Sequence, residues 1–324
     1  MRAWTVTQHG KTATYATDQR RPIPPKGEAL IRVAACGLNF ADLLMQEGSY
    51  QDTPALPFVP GMELAGRVEA LGPDTIGPPI GARVAGFAGC GGLADYALVK
   101  VDRLVRLPDS MSYAQAAGFQ VAYGSSHLAL SHRARLAQGE TLLVLGAAGG
   151  VGLTAVEIGK RMGARVVACA RGADKLAIAA QAGADVLIDS DSPDLKAALK
   201  AVGGVDVVYD AVGGPAFRAA LSACNPLARV LCIGFASGEV PQIPANVLLV
   251  KNLDVIGFYW GGYLKFAPQL LTQSLHSLFA WFEAQELHPH ISHQIAFDAY
   301  PTGLELLRTR KATGKVVVLA RDAF

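Results

Sequence analysis

The segment TLLVLGAAGGVGLTAVEIGK, starting at Thr141, carries the most chemically specific spacing in the chain. An apolar, strand-like run ends at Gly146, and a helical pattern begins near Gly150. Between them Ala147, Gly149 and Gly152 form an A-x-G-x-x-G pattern. Such glycines let a backbone approach a pyrophosphate, and the following helix offers free N–H groups and its positive dipole end to the anion. Ala148, Gly149, Gly150 and Val151 are therefore the candidate phosphate cradle. A glycine-rich structural turn has the same letters, so the flanking strand and helix, with further strand–helix repeats, decide for a dinucleotide site.

The next strand bears on which dinucleotide. An NAD site places Asp or Glu at its end, on the ribose 2′-hydroxyl. Here ARVVACARGADKL runs through Ala170 into Arg171, with no carboxylate before Asp174. Arg171 and Lys175 suit a 2′-phosphate, where charge-assisted bonds are strong, and predict NADPH. Solvated surface cations are the competing reading of the same two residues.

A second stretch, AACGLNFADLLMQEGSY from Ala34 to Tyr50, offers Asn39, Asp42 and Tyr50 as hydrogen-bonding groups. Asn39 and Asp42 also suit the start of a helix, the first as its cap and the second in its first turn. The two roles are compatible. Cys36, at the end of an apolar run, reads as a buried, inert thiol.

These residues need a scaffold. The first hundred residues read as short strands (RAWTVT, EALIRVAA, LAGRVEAL, ADYALVK) broken by turn clusters such as RRPIPPKGE and GPDTIGPPIG. From about Ser112 to Arg135 the chain is Ala-rich with helical spacing. Near-continuous apolar strands then alternate with helices, which means a parallel sheet covered on both faces. A long helix over about Tyr263 to Gln285, the strand SHQIAFDA, a helix to about Arg310 and the strand GKVVVLA complete the chain. The expected organisation is an α/β Rossmann unit over residues 121–262, a doubly wound parallel sheet. It is inserted into a β-rich unit formed by residues 1–120 and 263–324.

With 324 residues, 51% of them hydrophobic, the chain can bury a large core and two domains. A net charge of +2 leaves no basic stripe for nucleic acid. Five scattered cysteines form no disulfide framework and fit a reducing compartment. The absence of a signal core and of an eighteen-residue apolar run predicts a soluble cytoplasmic protein that neither enters nor crosses a membrane.

Taken together, GLNFADLLMQEGSY, LPFVPGMELAGRVEALG, GARVAGF, GGLADYALV, LGAAGGVGLTAVEIGK, VDVVYDAVGG, IGFASG and GKVVV cover nearly the whole chain. In that order they resemble the zinc-free quinone oxidoreductases of the medium-chain dehydrogenase/reductase superfamily. The resemblance implies a GroES-like domain around a Rossmann domain, a nicotinamide bound between them, and a homodimer joined through the Rossmann domains. Zinc alcohol dehydrogenases share that architecture. Their three catalytic ligands fall here on Asn39, Met62 and Ala117, which cannot hold zinc. Glu63 survives from their Gly-His-Glu run and is assigned no more than a structural role.

Without a Lewis acid, alcohol oxidation loses its means of polarising oxygen. A quinone already accepts hydride readily, and needs only positioning and hydrogen bonds to developing oxyanion charge. The resemblance places Asn39 and Asp42 near the nicotinamide and Tyr50 at the substrate. Asn39 is then the donor to a substrate oxygen, and Asp42 orients its neighbours. Tyr50, protonated at neutral pH with its ordinary pKa of about 10, or else solvent, supplies a proton. It also implies cofactor contacts from Ser125, Phe235 and Lys315. Leu44 stands where relatives often carry a Tyr, which makes this side of the pocket more apolar. Reduction of activated double bonds (2-alkenals, enones, enoyl thioesters) uses the same residues, and an NADPH-binding protein without major catalysis is the reading from another class.

Overall fold

In the computed structural model, which describes residues 1–320, the chain forms two compact units. The first comprises Met1–Val121 and Pro289 onward, and the second Ala122–His288.

The first unit contains β1 (Ala3–Thr5), β2 (Thr14–Ala16), β3 (Glu28–Leu38), α1 (Phe40–Glu47), β4 (Glu63–Leu71), β5 (Arg83–Phe87), β6 (Tyr96–Lys100), β7 (Leu104–Arg106) and α2 (Tyr113–Ala117). Its central strand, β3, is long because EALIRVAACGL has almost no polar interruption, and most of it is buried. β4 pairs antiparallel along one edge of β3, and β6 takes the first half of the other edge. β5 and β7 extend the sheet beyond β4. Ile31, Val33, Leu64, Val68, Val84 and Val99 fill the core between these strands.

The second unit begins within α3 (Gln120–Leu128), which runs into a π-helical turn over Ala129–Arg133. It continues through β8 (Thr141–Leu145), α4 (Gly150–Arg161), β9 (Arg165–Ala170), α5 (Gly172–Gln181), β10 (Val186–Asp189), α6 (Leu195–Lys200), β11 (Val205–Asp210), α7 (Gly214–Ala223), β12 (Cys224–Cys232), α8 (Ala245–Lys251) and β13 (Asp254–Gly257). All six strands are parallel, in the order β10-β9-β8-β11-β12-β13. The chain winds outward from β8 in one direction and then from β11 in the other. The carboxyl ends of β8 and β11 therefore flank the topological switch point, where ligands bind in such sheets. Leu143, Leu145, Val167, Val208, Phe217 and Val230 are among the buried residues of this core.

The tail departs from the sequence reading in two ways. The single helix expected over 263–285 is α9 (Tyr263–Phe266) followed by α10 (Pro268–Glu283), broken at Ala267. Proline disfavours helical geometry in the residue before it and is well tolerated at the first helical position, so Pro268 ends one helix and starts the next. Residues 263–288 also belong to the second unit, not the first. Side chains explain this: the Arg161 guanidinium of α4 stacks on Trp281 at 4.0 Å and pairs with Glu286 at 2.6 Å. His127 Nδ1 and Ser274 Oγ lie 2.8 Å apart. The chain re-enters the first unit afterwards, as β14 (Ile291–Ala296), α11 (Tyr300–Arg308) and β15 (Lys315–Leu319). β15 pairs antiparallel with the second half of β3 and parallel with β14. Among the described residues no helix is long and apolar enough to cross a membrane.

Candidate active site and nucleotide loop

Three adjacent strands of the first unit end or begin at the same edge. β3 stops at Leu38, with Val316 of β15 opposite Leu38 on one side and Glu63 of β4 opposite Gly37 on the other. Asn39, Glu63 and Lys315 are thereby brought together from distant points in the sequence. Lys315 Nζ donates to Leu38 O at 2.8 Å, Asn39 Oδ1 at 2.7 Å and Glu63 Oε1 at 2.8 Å. Asn39 Nδ2 donates to Glu63 Oε1 at 2.9 Å. Glu63 Oε2 accepts from the Val121 N–H at 3.0 Å. Glu63 is 1% exposed and Lys315 5%, while Asn39 is half-buried. At Gly37 a Cβ would lie 2.1 Å from Ala117 O and 3.0 Å from Glu63 Oε1, so only glycine lets α2 and the cluster approach this closely.

The resemblance directs Lys315 to the cofactor. In this structure its three N–H donors are all taken within the first unit. Glu63, expected to be only structural, accepts from every other polar member of the cluster. The signal that sequence reasoning missed is register: a lysine that opens one strand and a glutamate that opens another have no visible relation until both strands lie beside β3.

Asp42 has a different task. Its Oδ2 accepts from the Asn39 N–H at 2.8 Å and its Oδ1 from the Gly61 N–H at 3.2 Å. It thus closes the first turn of α1 and ties that helix to the loop before β4. Burial pushes its carboxyl up to about 6, against those two N–H groups and the Lys315 ammonium. Burial likewise raises the Cys36 thiol well above its ordinary value, with Asp42 and Glu63 adding to the effect. A neutral thiol in such surroundings is inert. Tyr50 is half-buried in the turn after α1, where its carbonyl accepts from Thr53. The bonds that fix the Asn39 amide do not include it. Among the described residues no group of three or more His, Cys, Asp or Glu could hold a metal ion.

In the second unit, β8 leads into Gly146, whose φ of +75° starts the turn toward α4. Gly152 faces that turn so closely that a Cβ there would stand 2.0 Å from Gly146 O. Gly149 caps α4 with no side-chain hydrogen bond. The N–H groups of its first turn have no partner within the helix by geometry, which leaves them to an anion. Ala148 is buried, and Gly150 and Val151 are half-buried. The loop is held from behind by Ser126, whose Oγ donates to Val151 O at 2.9 Å and lies 2.8 Å from Thr154 Oγ1 and 3.1 Å from Tyr209 OH. Ser125, the serine the resemblance selects, is its buried neighbour. Thr154 Oγ1 also donates to the Ala122 carbonyl at 3.1 Å, and nothing in the sequence sets Ser126 apart from Ser125.

Arg171 caps α5 and lies 3.2 Å from the Asp191 carboxylate, both side chains being more than half exposed. Lys175 is half-buried in the same helix. Asp189, at the end of β10, accepts from the Gly172 and Asp191 N–H groups, which hold its carboxyl below the ordinary range. Phe235 follows β12, 39% exposed, at the carboxyl edge of the sheet. Asp210, at the end of β11, accepts from the Val212 and Gly213 N–H groups.

A family model described as the alcohol dehydrogenase GroES-like domain matches residues 25–109, and one described as zinc-binding dehydrogenase matches residues 150–277. A GroES-like unit interrupted by a Rossmann unit with this glycine loop defines a medium-chain dehydrogenase/reductase, an oxidoreductase fold. The chain is 39% identical to the quinone oxidoreductase-like protein 2 homolog of Nematostella vectensis over 300 residues, covering 90% of this chain and 82% of that protein. The quinone oxidoreductase of Thermus thermophilus, solved alone and with NADPH, superposes with a TM-score of 0.87 at 34% identity, over 98% of this chain and 100% of that one. The Escherichia coli quinone oxidoreductase complexed with NADPH gives 0.90 at 25% identity, over 98% and 100%. The chain belongs to the quinone oxidoreductase family of this superfamily.

The raised Asp42 carboxyl has a consequence for stability. Between its ordinary value of 3.8 and about 6 the folded protein holds a proton that the unfolded chain has released. Asp42 thus favours folding most at low pH, and that contribution is lost as pH rises through this window. The full swing is about 3 kcal/mol. Urea unfolding of Asp42→Asn at pH 4 and pH 7 is expected to show the variant gaining on wild type by up to about that amount. A difference between the two proteins that does not change with pH would contradict this.

Proposed function

We propose that the protein is an NADPH-dependent reductase of quinones that works without a metal ion. The observation that carries this reading is the Asn39 amide. It stands half-exposed where the zinc relatives have a ligand, with both its ends engaged and one Nδ2 hydrogen left over. Met62 and Ala117, at the other two ligand positions, are buried and offer only a thioether and a methyl group.

The nucleotide loop fits the cofactor. The uncapped first turn of α4, with Ala148, Gly149, Gly150 and Val151, receives the pyrophosphate, and Ser125 and Ser126 support it from α3. Gly172, whose Cβ position has nothing within 4 Å, leaves room for the adenosine half. Arg171 and Lys175 meet the 2′-phosphate, for which Arg171 exchanges its exposed Asp191 partner. Phe235 lines the nicotinamide side of the switch point. Bound NADPH supplies a hydride, and the quinone takes up one proton to become the hydroquinone. Asn39 donates its remaining N–H to the oxygen on which negative charge develops. Asp42 keeps the Asn39 backbone in place, and Tyr50 donates the proton.

We further infer a homodimer formed through the Rossmann units. β13 is an edge strand of the six-stranded sheet, and the neighbouring α8 exposes Leu249 at 77% and Val250 at 75%. Edge strands and apolar patches of this kind are what association covers.

Four outcomes follow. NADPH oxidation screened over ortho-quinones, para-quinones, enones and enoyl thioesters is expected to be fastest with a quinone, and Asn39→Ala to lose about 10²-fold in kcat. Turnover confined to enones would transfer the site to double-bond reduction, and cofactor binding without turnover would leave only a binding protein. Arg171→Ala is expected to weaken NADPH by about 10- to 100-fold with NADH unaffected, measured as KM for each. A wild-type preference for NADH would refute the 2′-phosphate assignment. Light scattering is expected to give twice the chain mass of 33.9 kDa; a monomer at micromolar concentration contradicts the dimer.

A further inference from the structure

An asparagine amide can occupy its place in two ways, related by exchange of oxygen and nitrogen, and only one leaves a donor pointing where a donor is needed. Hydrogen-bond partners decide which way it lies. At Asn39 the partners leave no choice. The Lys315 ammonium has three donors and no acceptor, so the Asn39 atom 2.7 Å from Nζ is the carbonyl oxygen. The Glu63 carboxylate only accepts, so the atom 2.9 Å from its Oε1 is the nitrogen. A flipped amide would set oxygen against carboxylate and N–H against ammonium, two repulsions in a buried site. The partners are themselves immobile. Lys315 is anchored on the Leu38 carbonyl, and Glu63 on the Val121 N–H. The Lys315 stem packs along Gly118, where a Cβ would stand 3.2 Å from both its Cβ and its Cγ. Lys315 also draws charge from the Asn39 carbonyl, and donors polarised through such a chain are stronger.

From this we infer that Lys315 and Glu63 are positioning residues for the reductase. They act through Asn39, holding its amide in the one orientation that leaves an N–H for the substrate oxygen, and Lys315 is not a ligand of the cofactor. The inference rests on the proposed role of Asn39 as that donor.

The test is a double-mutant cycle on the full-length enzyme, with NADPH affinity read separately by fluorescence titration. Lys315→Met is expected to lower kcat with a quinone about tenfold, a loss of about 1.4 kcal/mol in transition-state stabilisation. The NADPH dissociation constant should stay within about twofold, well short of the tenfold that 1.4 kcal/mol represents. In an Asn39→Ala background the same substitution should change kcat by less than about twofold, since a residue acting through Asn39 has nothing left to act on. Lys315→Met leaves Glu63 buried without its ion-pair partner, so Glu63→Gln/Lys315→Met, which removes both charges, serves as the folding control. It should melt near wild type and show the same kcat loss. Additive losses in the cycle would overturn the positioning role. A weakened NADPH affinity with kcat unchanged would make Lys315 a cofactor ligand instead. Full activity of Asn39→Ala alone would defeat the proposed donor itself, and with it this inference. A Lys315→Met enzyme as active as wild type, beside an impaired Asn39→Ala, would defeat the inference only.

Discussion

A buried ammonium is tolerable only where acceptors surround it, and among the described residues of the first unit Lys315 meets that requirement. Lys315 finds a backbone carbonyl, an amide oxygen and a carboxylate, each within 2.8 Å. Transfer of either charge from water costs several kcal/mol, and removal of one partner from such a pair typically costs about 3–5 kcal/mol. The pair therefore adds little to stability by existing, but strongly penalises any arrangement that separates it. It fixes the register of β15 and β4 against β3, because a one-residue slip would turn each charge to the other face of the sheet. Asn39 acquires a single orientation from the same constraint, and α1 starts from that asparagine.

The second unit solves a simpler problem with simpler means. An anion needs N–H groups at a crevice, and a parallel sheet provides the crevice wherever its strand order reverses. Backbone does most of the work there: an unusual φ at Gly146, a missing Cβ at Gly152, and a helix start left without a capping side chain. Side chains such as Ser126, Thr154 and Tyr209 only brace the loop from behind.

This contrast explains what could be read from the amino acids alone. The glycine loop and the alternating strands and helices are local in sequence, and the fold repeats them closely. Asp42 was recognisable as a first-turn acid because its partner, the Asn39 N–H, lies three residues away. The Lys315–Glu63 contact spans 252 residues and depends on which strands neighbour β3, so it was invisible. The same holds for α10, whose Trp281 and Ser274 meet Arg161 and His127 of the second unit, more than a hundred residues away in sequence. The choice between Ser125 and Ser126 turned on one step around a helix, finer than periodicity resolves.

The return of the chain to β3 also sets a timetable. During synthesis Glu63 leaves the ribosome 252 residues ahead of the lysine that neutralises it. At about 5–20 residues per second the interval is on the order of tens of seconds, long enough for the intervening Rossmann segment to emerge and fold first. Until β15 arrives, the second half of one edge of β3 is open and the asparagine amide is free to turn. A nascent chain can thus own a finished nucleotide loop well before Asn39, Glu63 and Lys315 are held together.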